Sequence, residues 1–483
     1  MKLRDILNDI EYEVIKGNID IIISDICYDS RKVIDGSLFV CLVGATSDGH
    51  DYIDMAISKG TSAIVVEKDV AVDDDIVVIK VSDTRRTLSR LAINYYGNPG
   101  SELIIIGITG TKGKTTTASM IKNILEEDGK STGVIGTLGV SFNDKHYSTI
   151  NTTPESLELQ KYLREMVSDG IKYVVMEVSS QALKVGRVDG LVFDYGLFTN
   201  LTQDHIGDNE HPDMEDYVYC KSLLFKMCKE GIFNIDDKYY NDMINNCTCD
   251  INTFGHSNEA DLIISNVELL RKENFIGIEV TTSGAVNDIF LVNTPGEFSA
   301  YNSACAIMIS NYLGCSIDSI KRALEKVAVK GRMEIVPVSD KYSVIIDYAH
   351  NGVSIKSVLE TMRAYNPKRI VSLFGCGGNR SKDRRYDMGE ISGRYSDLTI
   401  VTEDNSRFEN VHDIMNDIEI GLSKTNGKYI KIPNRTDAIK YALDNALEGD
   451  IILLLGKGHE TYQEKEGIRT HYDEREIIAD IIK

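Results

Sequence analysis

The segment LIIIGITGTKGKTTTASMIKNIL, residues 103–125, leaves its neighbourhood little freedom in how to fold. An apolar run of buried-strand type enters a glycine-rich turn, and helical spacing begins near Lys114. In that setting the backbone amides around Gly110, Thr111, Lys112, Gly113 and Lys114 are expected to face phosphate oxygens. Lys114 supplies charge, and the hydroxyl of Thr115 suits magnesium. The common phosphate loop places a glycine five residues before Gly113, where this chain has Ile108. The loop is therefore a variant of that design.

Buried-strand runs alternate with helical spacing along most of the chain, which predicts an α/β protein with parallel strands and crossover helices. At 483 residues about three domains of ordinary size are expected. SLFVCLV, TSAIVVEK and DIVVIKV give a small α/β unit over residues 1–98, closed by the punctuation of Asn98, Pro99 and Gly100. A central unit over 99–331 carries the phosphate loop with YVVMEVSS, YGLFTNL and GIFNID. A third over 332–483 repeats the pattern in YSVIIDYA, RIVSLFGCGG, LTIVTED and DIILLLGKG.

With 53 basic and 74 acidic side chains the net charge is −21, which argues against general binding to a nucleic-acid backbone and gives no reason to expect anionic membranes as partners. Any phosphate must be held locally. No apolar run nears the ~20 residues of a membrane helix, and the N-terminus has no export-signal pattern. The nine cysteines lack a paired metal spacing, so reduced thiols in a cytoplasmic protein are expected.

The loop GITGTKGKTTT matches Gly-x-Thr-Gly-Thr-x-Gly-Lys-Thr-Thr and resembles that of the Mur ligases and their folylpolyglutamate synthetase relatives. DSRKVIDGSLFVCLVG, NTTPES, MEVSSQALKVGRVDG, FTNLTQDH, GRMEIV, DYAH, FGCGGNRSKDRR, EDNSR and GKGHETYQ follow in order. Together they resemble the MurE branch of the Mur ligase family. The resemblance implies a three-domain α/β fold with a central P-loop ATPase-like parallel sheet and a C-terminal Rossmann-like domain. It implies ATP and Mg2+ as reactants, and the addition of a third amino acid to UDP-N-acetylmuramoyl-L-alanyl-D-glutamate through an acyl phosphate, in cell-wall precursor synthesis. Meso-diaminopimelate is the expected amino acid and L-lysine the alternative, because the diaminopimelate signature Asp-Asn-Pro-Arg reads Asp404-Asn405-Ser406-Arg407 here. A monomer is expected. A catalytically silent precursor-binding paralogue, a nucleotide-dependent switch and folylpolyglutamate synthesis are the competing readings.

By the same resemblance Gly110 to Thr116, with Thr111, Lys112, Gly113, Lys114 and Thr115 between, bind ATP, together with Asn302, Arg332 and Asp347. Glu177, His205 and Thr115 are magnesium ligands, and Lys221 carries a carbamate that turns a cation into an anion beside the metal. Lys114, Glu177, His205 and Lys221 form the implied catalytic set. Ser30, Thr152, Thr153, Ser179 and Arg187 hold the UDP precursor. Helix capping before PESLELQKYL is the alternative for the threonine pair. Arg380, Asn405, Arg407, Gly456 and Glu460 receive the amino acid, guanidiniums and a carboxylate suiting a zwitterionic diamino diacid. The third unit is expected to close before chemistry.

Overall fold

The computed structural model describes residues 1–44, 47–72, 75–204, 206–207, 210–245, 247–272 and 275–483. Contacts gather the chain into two compact units, Met1–Leu262 with Cys305–Ser316, and Ile263–Ala304 with Ile317–Lys483.

The first unit holds two sheets. One contains β1 (Glu13–Lys16), β2 (Ile26–Cys27), β3 (Leu38–Val40), β4 (Ala63–Val66) and β5 (Val77–Lys80), in the order β1-β5-β4-β3-β2. The three apolar runs near the N-terminus become β3, β4 and β5, parallel and almost wholly buried, as continuous Val/Ile/Leu runs should be. β1 is exposed and joins antiparallel at the edge. The helix Thr84–Tyr95 leaves β5 with Asp83 as its N-cap, the carboxylate accepting from the amides of Arg85 and Arg86.

The other sheet of this unit is built on β6 (Ile104–Thr109), flanked in parallel by β10 (Tyr173–Glu177) and β11 (Phe193–Phe198). Outward on one side lie β7 (Thr132–Gly136), β8 (Gly139–Phe142) and β9 (Lys145–Tyr147), with β7 parallel to β10 and an antiparallel meander beyond it. On the other side lie β12 (Cys228–Asn234) and β13 (Asp250–Gly255), both parallel. Ligands in such sheets bind outside the carboxyl ends of the strands. The ends of β6, β10 and β11 present Gly110, Glu177 and Thr199 there.

The second unit contains the meander β14 (Leu262–Lys272), β15 (Phe275–Gly284) and β16 (Asp288–Val292). Its larger sheet comprises β17 (Glu334–Val336), β18 (Ser343–Asp347), β19 (Arg369–Phe374), β20 (Leu398–Val401), β21 (Tyr429–Lys431) and β22 (Asp450–Leu455), in the order β17-β18-β22-β19-β20-β21. All pairings except β17 with β18 are parallel. A hairpin of β23 (Tyr462–Lys465) and β24 (Ile468–His471) follows β22. β22 is buried at every residue, as expected for a strand covered on both faces. No described helix is long and apolar enough to cross a membrane.

Candidate active site

At the end of β6 the chain turns through Gly110 to the helix Lys114–Glu127, which starts where the spacing predicts. Gly110 has φ +146°, and a Cβ there would lie 2.1 Å from the hydroxyl of Thr199, so only glycine fits. The strap after β11 braces this turn. The carbonyl of Asn200 accepts from the Thr111 amide at 2.8 Å, and the Asn200 side-chain oxygen accepts from the Lys112 amide at 2.9 Å. Two of the amides expected to face phosphate are thus already bonded. The anion-binding capacity of the turn shifts to the first helical turn, whose N–H groups have no intrahelical acceptor.

The ammonium of Lys114 donates to the carbonyls of Gly110 and Thr111 at 2.8 and 3.0 Å. Lys221, on the helix Met214–Ser222, donates to the same Gly110 carbonyl at 2.9 Å and lies 4.6 Å from the centre of the Tyr217 ring. It is only 2% exposed. Burial, and then the neighbouring charge of Lys114, drive its pKa well below the ordinary lysine value. A buried lysine whose proton is loosened in this way is closer to a nucleophile than an ordinary surface cation is.

Glu177 ends β10 at 1% exposure and meets the loop directly. One carboxylate oxygen accepts from Thr115 Oγ1 at 3.0 Å and from Thr137 Oγ1 at 3.1 Å, and the other accepts from the Thr137 amide at 2.9 Å. A buried carboxylate beside a threonine hydroxyl is a hard oxygen donor set of the kind magnesium takes. Thr137, which the sequence reading passed over, is the polar residue just past the end of β7 and could have been found on that ground. His205 lies outside the described residues.

Thr153, Ser179 and Arg187 come together behind Glu177. Thr153 Oγ1 donates to the Glu177 carbonyl at 2.9 Å and accepts from the Ser179 amide at 3.0 Å. Thr152 Oγ1 lies 3.2 Å from Thr137 Oγ1. The helix Ser156–Ser168 has Glu155 at its N-cap position with no side-chain cap, so neither threonine caps it. Glu155 receives Arg187 at 2.8 Å on one oxygen and Arg85 at 3.0 Å on the other. With Arg85 and Ser30, Glu155 lines a cavity of about 470 Å³ whose floor includes Tyr28, Phe39 and Met55. Ser30 is placed there by the short helical turn that Asp29 caps.

In the second unit Asp347 ends β18, its two carboxylate oxygens accepting from the amides of Met333 and Ala349 at 2.8 Å each. Burial raises its pKa, against the pull of those amides and of Arg332. Arg332 lies over the Tyr348 ring at 5.1 Å. Asn302 is buried in the helix Phe298–Tyr312.

Arg380, Asn405, Arg407, Gly456 and Glu460 all line one cavity of about 140 Å³. They arrive from the ends of β19, β20 and β22, three neighbouring parallel strands. Asn405 Nδ2 donates to Glu460 Oε2 at 2.9 Å, and Asn405 Oδ1 accepts from Lys457 Nζ at 3.1 Å and from the Glu464 amide at 3.0 Å. Arg407 Nη1 donates to the Gly378 carbonyl at 3.1 Å. Burial and then Asp404 raise the pKa of Glu460. Arg384, Asp404 and Tyr348 also line the cavity and were missed from sequence, as was Lys457, fully buried behind it. Lys457 lies inside GKGHE, where a lysine reads as an exposed cation unless its surroundings are known.

Three family profiles match the chain: "Mur ligase family, catalytic domain" over residues 22–96, "Mur ligase middle domain" over 108–310 and "Mur ligase, glutamate ligase domain" over 331–458. The chain is 42% identical over 490 residues to the UDP-N-acetylmuramoyl-L-alanyl-D-glutamate--2,6-diaminopimelate ligase of Clostridium perfringens, covering 100% of both chains. To the ligase of the same name from Geobacillus kaustophilus it is 39% identical, over 97% of this chain and 96% of that one. A solved structure of a UDP-N-acetylmuramoyl-L-alanyl-D-glutamate--2,6-diaminopimelate ligase matches with a TM-score of 0.73 at 25% identity, covering 100% and 98% of the two chains. The MurF ligase of Thermotoga maritima, solved with ADP, shares the fold with a TM-score of 0.59 at 19% identity, covering 95% and 96%.

Proposed function

The chain belongs to the Mur ligase family, and from that premise we propose that it joins meso-diaminopimelate to UDP-N-acetylmuramoyl-L-alanyl-D-glutamate, cleaving ATP to ADP and phosphate. The relatives named for this reaction are 39–42% identical along nearly the whole chain, which supports carrying the reaction over. The observation that bears most weight is local: Thr115 of the loop and Glu177 of β10 meet at 3.0 Å, while Lys114 and Lys221 converge on one carbonyl of the same turn. A glycine turn with no catalytic duty has no need of two converging lysines and a buried carboxylate.

The chemistry follows from what those groups can do. A carboxylate does not release oxide to an amine, so a carboxylate of the precursor's D-glutamate first takes the γ-phosphoryl group of ATP. The amine then attacks the acyl phosphate, phosphate departs, and the amide remains. Lys114 and the first-turn amides are assigned to the charge that spreads over the transferring phosphoryl oxygens. Magnesium would be held by Thr115 and Glu177, with His205 and a Lys221 carbamate as further ligands, and it supplies charge neutralisation on the phosphates. Lys221 fits that modification: its neutral amine attacks carbon dioxide and loses a proton, leaving an anion.

The precursor is assigned to Ser30, Thr152, Thr153, Ser179 and Arg187, supported by the cavity at Ser30 and by the Thr153–Ser179 cluster. Asn302, Arg332 and Asp347 are assigned to ATP on family position. The amino acid is assigned to Arg380, Asn405, Arg407, Gly456 and Glu460. The reading includes domain boundaries near residues 98 and 331, supported by the three profile matches, and a cytoplasmic monomer with reduced thiols. All nine cysteines are free.

The test is direct. The protein is incubated with ATP, magnesium and the precursor, each candidate amino acid is added in turn, and the product is weighed. A product heavier by one diaminopimelate residue is expected; no ligation of any amino acid overturns the reading.

A further inference from the structure

Three cysteines stand close together on the first unit, away from the carboxyl ends of its strands. Gly196 of β11 and Gly231 of β12 are ladder partners, so their missing side chains clear adjacent places on one face of the sheet. Two sulfurs share that space with the rings of Phe225 and Phe233. A Cβ on Gly196 would lie 2.8 Å from Cys228 Sγ, and one on Gly231 would lie 2.9 Å from Cys249 Sγ. Cys228 and Cys247 are the two thiols that act on the Cys249 sulfur. Cys228 is buried in the core, whereas Cys247 and Cys249 are partly exposed.

We propose that Cys249 is a peroxide-reactive thiol and Cys228 its resolving partner, the two closing to a reversible disulfide between the start of β12 and the start of β13. Cys249 is partly exposed and Cys228 buried; Cys228 and then Cys247 favour the Cys249 thiolate and lower its pKa, while Cys249 and burial push Cys228 up. The thiolate is the attacking species, so the exposed, acidified member reacts first. Its sulfur attacks a hydroperoxide oxygen, the O–O bond breaks, and a sulfenic acid and one water (or alcohol) result. The Cys228 sulfur then attacks the sulfenic sulfur, its proton leaving with the hydroxyl as water. Two thiols have lost two electrons and the peroxide has gained them.

A soft-metal site is the competing use of three thiols, and the geometry disfavours it. Among the described residues only His211, Asp216 and Cys220 bring three ligand atoms within 4.8 Å of one another. Cys228, Cys247 and Cys249 are not such a group. Cys27, Cys41, Cys220, Cys305, Cys315 and Cys376 have their pKa values raised by burial and serve as internal controls.

The experiment treats the native full-length protein with hydrogen peroxide and maps the cysteines by mass spectrometry. Wild type and Cys247→Ser are expected to yield a Cys228–Cys249 disulfide that a dithiol reductant reverses, at a rate at least about tenfold above modification of the control cysteines. Cys228→Ser should hold a sulfenic acid on Cys249 that a 1,3-dione traps. Because the wild-type measurement needs no variant, failure of a mutant to fold leaves the test intact. A Cys247–Cys249 bond in place of Cys228–Cys249, or oxidation of Cys249 no faster than of the control cysteines, overturns the proposal.

Discussion

At the residue scale the loop lysines carry the sharpest expectations. Lys114→Ala should abolish ligation while circular dichroism and Tm stay near wild type, because the ammonium bonds the turn carbonyls of Gly110 and Thr111 and fills no core. Full ligation by the folded variant would remove the phosphoryl-transfer role. Lys221→Ala should be almost inactive and partly rescued by small carboxylates that can occupy the vacated anion position. In 13C-bicarbonate the wild type should show a carbamate resonance that the variant lacks. Its pH dependence has a definite sign. The folded pKa of Lys221 is lowered by burial, so its amine loses its proton below the ordinary 10.5, and the resonance should grow as pH rises through that window. A protonated Lys221 throughout, seen as no carbamate at any pH, counts against the assignment. Arg407 is the expected selector of diaminopimelate through its distal carboxylate, which lysine lacks. It is half-buried and already donates to the Gly378 carbonyl, so the pairing is worth less than the ~3–5 kcal/mol of a fully buried pair. Arg407→Ala should cost diaminopimelate use about ten- to a hundredfold and leave residual lysine use little changed; equal losses on both would refute the selector role. The sequence made these side chains legible because motif position alone names them. It left Thr137, Arg384 and Lys457 unread because their meaning depends on what surrounds them.

At the element scale the apolar parallel strands were legible, whereas the parallel β2, β7, β13 and β21 and the antiparallel additions were not. β3, β4, β5, β6, β10, β18, β19, β20 and β22 are mostly apolar runs, as strands buried on both faces should be, whereas β11 and β12 are apolar and buried only toward their ends. β1, β17 and the β8–β9 meander are short or partly exposed, and their alternation is too brief to separate from loop. The helix starts also depend on local chemistry. Asn351 of DYAHNG forms a capping box with Ser354 at the head of the helix Gly352–Arg363, each side chain bonding the other's amide. This holds the helix start with Gly352 at the first helical position, where proline is common. Asn351→Ala should cost about 1 kcal/mol of stability, read as a lower denaturation midpoint with an unchanged slope. An unchanged midpoint would show that the cap contributes nothing. The loop of Asn405 and Arg407 is secured in a similar way without a proline. The Arg407 amide donates to the Glu464 carbonyl and the Glu466 amide to the Arg407 carbonyl, pinning the loop to the β23–β24 hairpin at a residue with φ +53°.

At the scale of the whole molecule, a chain of net charge −21 must bind two polyanions and a diacid. Its general field opposes both polyanions and gives the net-neutral diamino diacid no help, so affinity has to come from the few converging groups. In the second unit the amino-acid cavity gathers Arg380, Arg384 and Arg407 with Asp404 and Glu460, which suits a zwitterion; the loop site gathers Lys114 and Lys221 on the Gly110 carbonyl, with Glu177 bonded to Thr115 of the same loop. A site that activates a carboxylate before the amine attacks has a kinetic signature that a precursor-binding paralogue cannot imitate. With ATP, magnesium and precursor alone, at most about one ADP per enzyme should form, because the acyl phosphate waits for its amine and water is a poor substitute. Adding diaminopimelate should release continuous turnover. Precursor labelled with 18O in the reacting carboxylate should then deliver one labelled oxygen to the released phosphate, since that oxygen bridges carbon and phosphorus and leaves with phosphorus. ADP formed equally fast without precursor, or phosphate carrying no label, would show that ATP hydrolysis is not coupled to the carboxylate, and the ligase reading would fall with it.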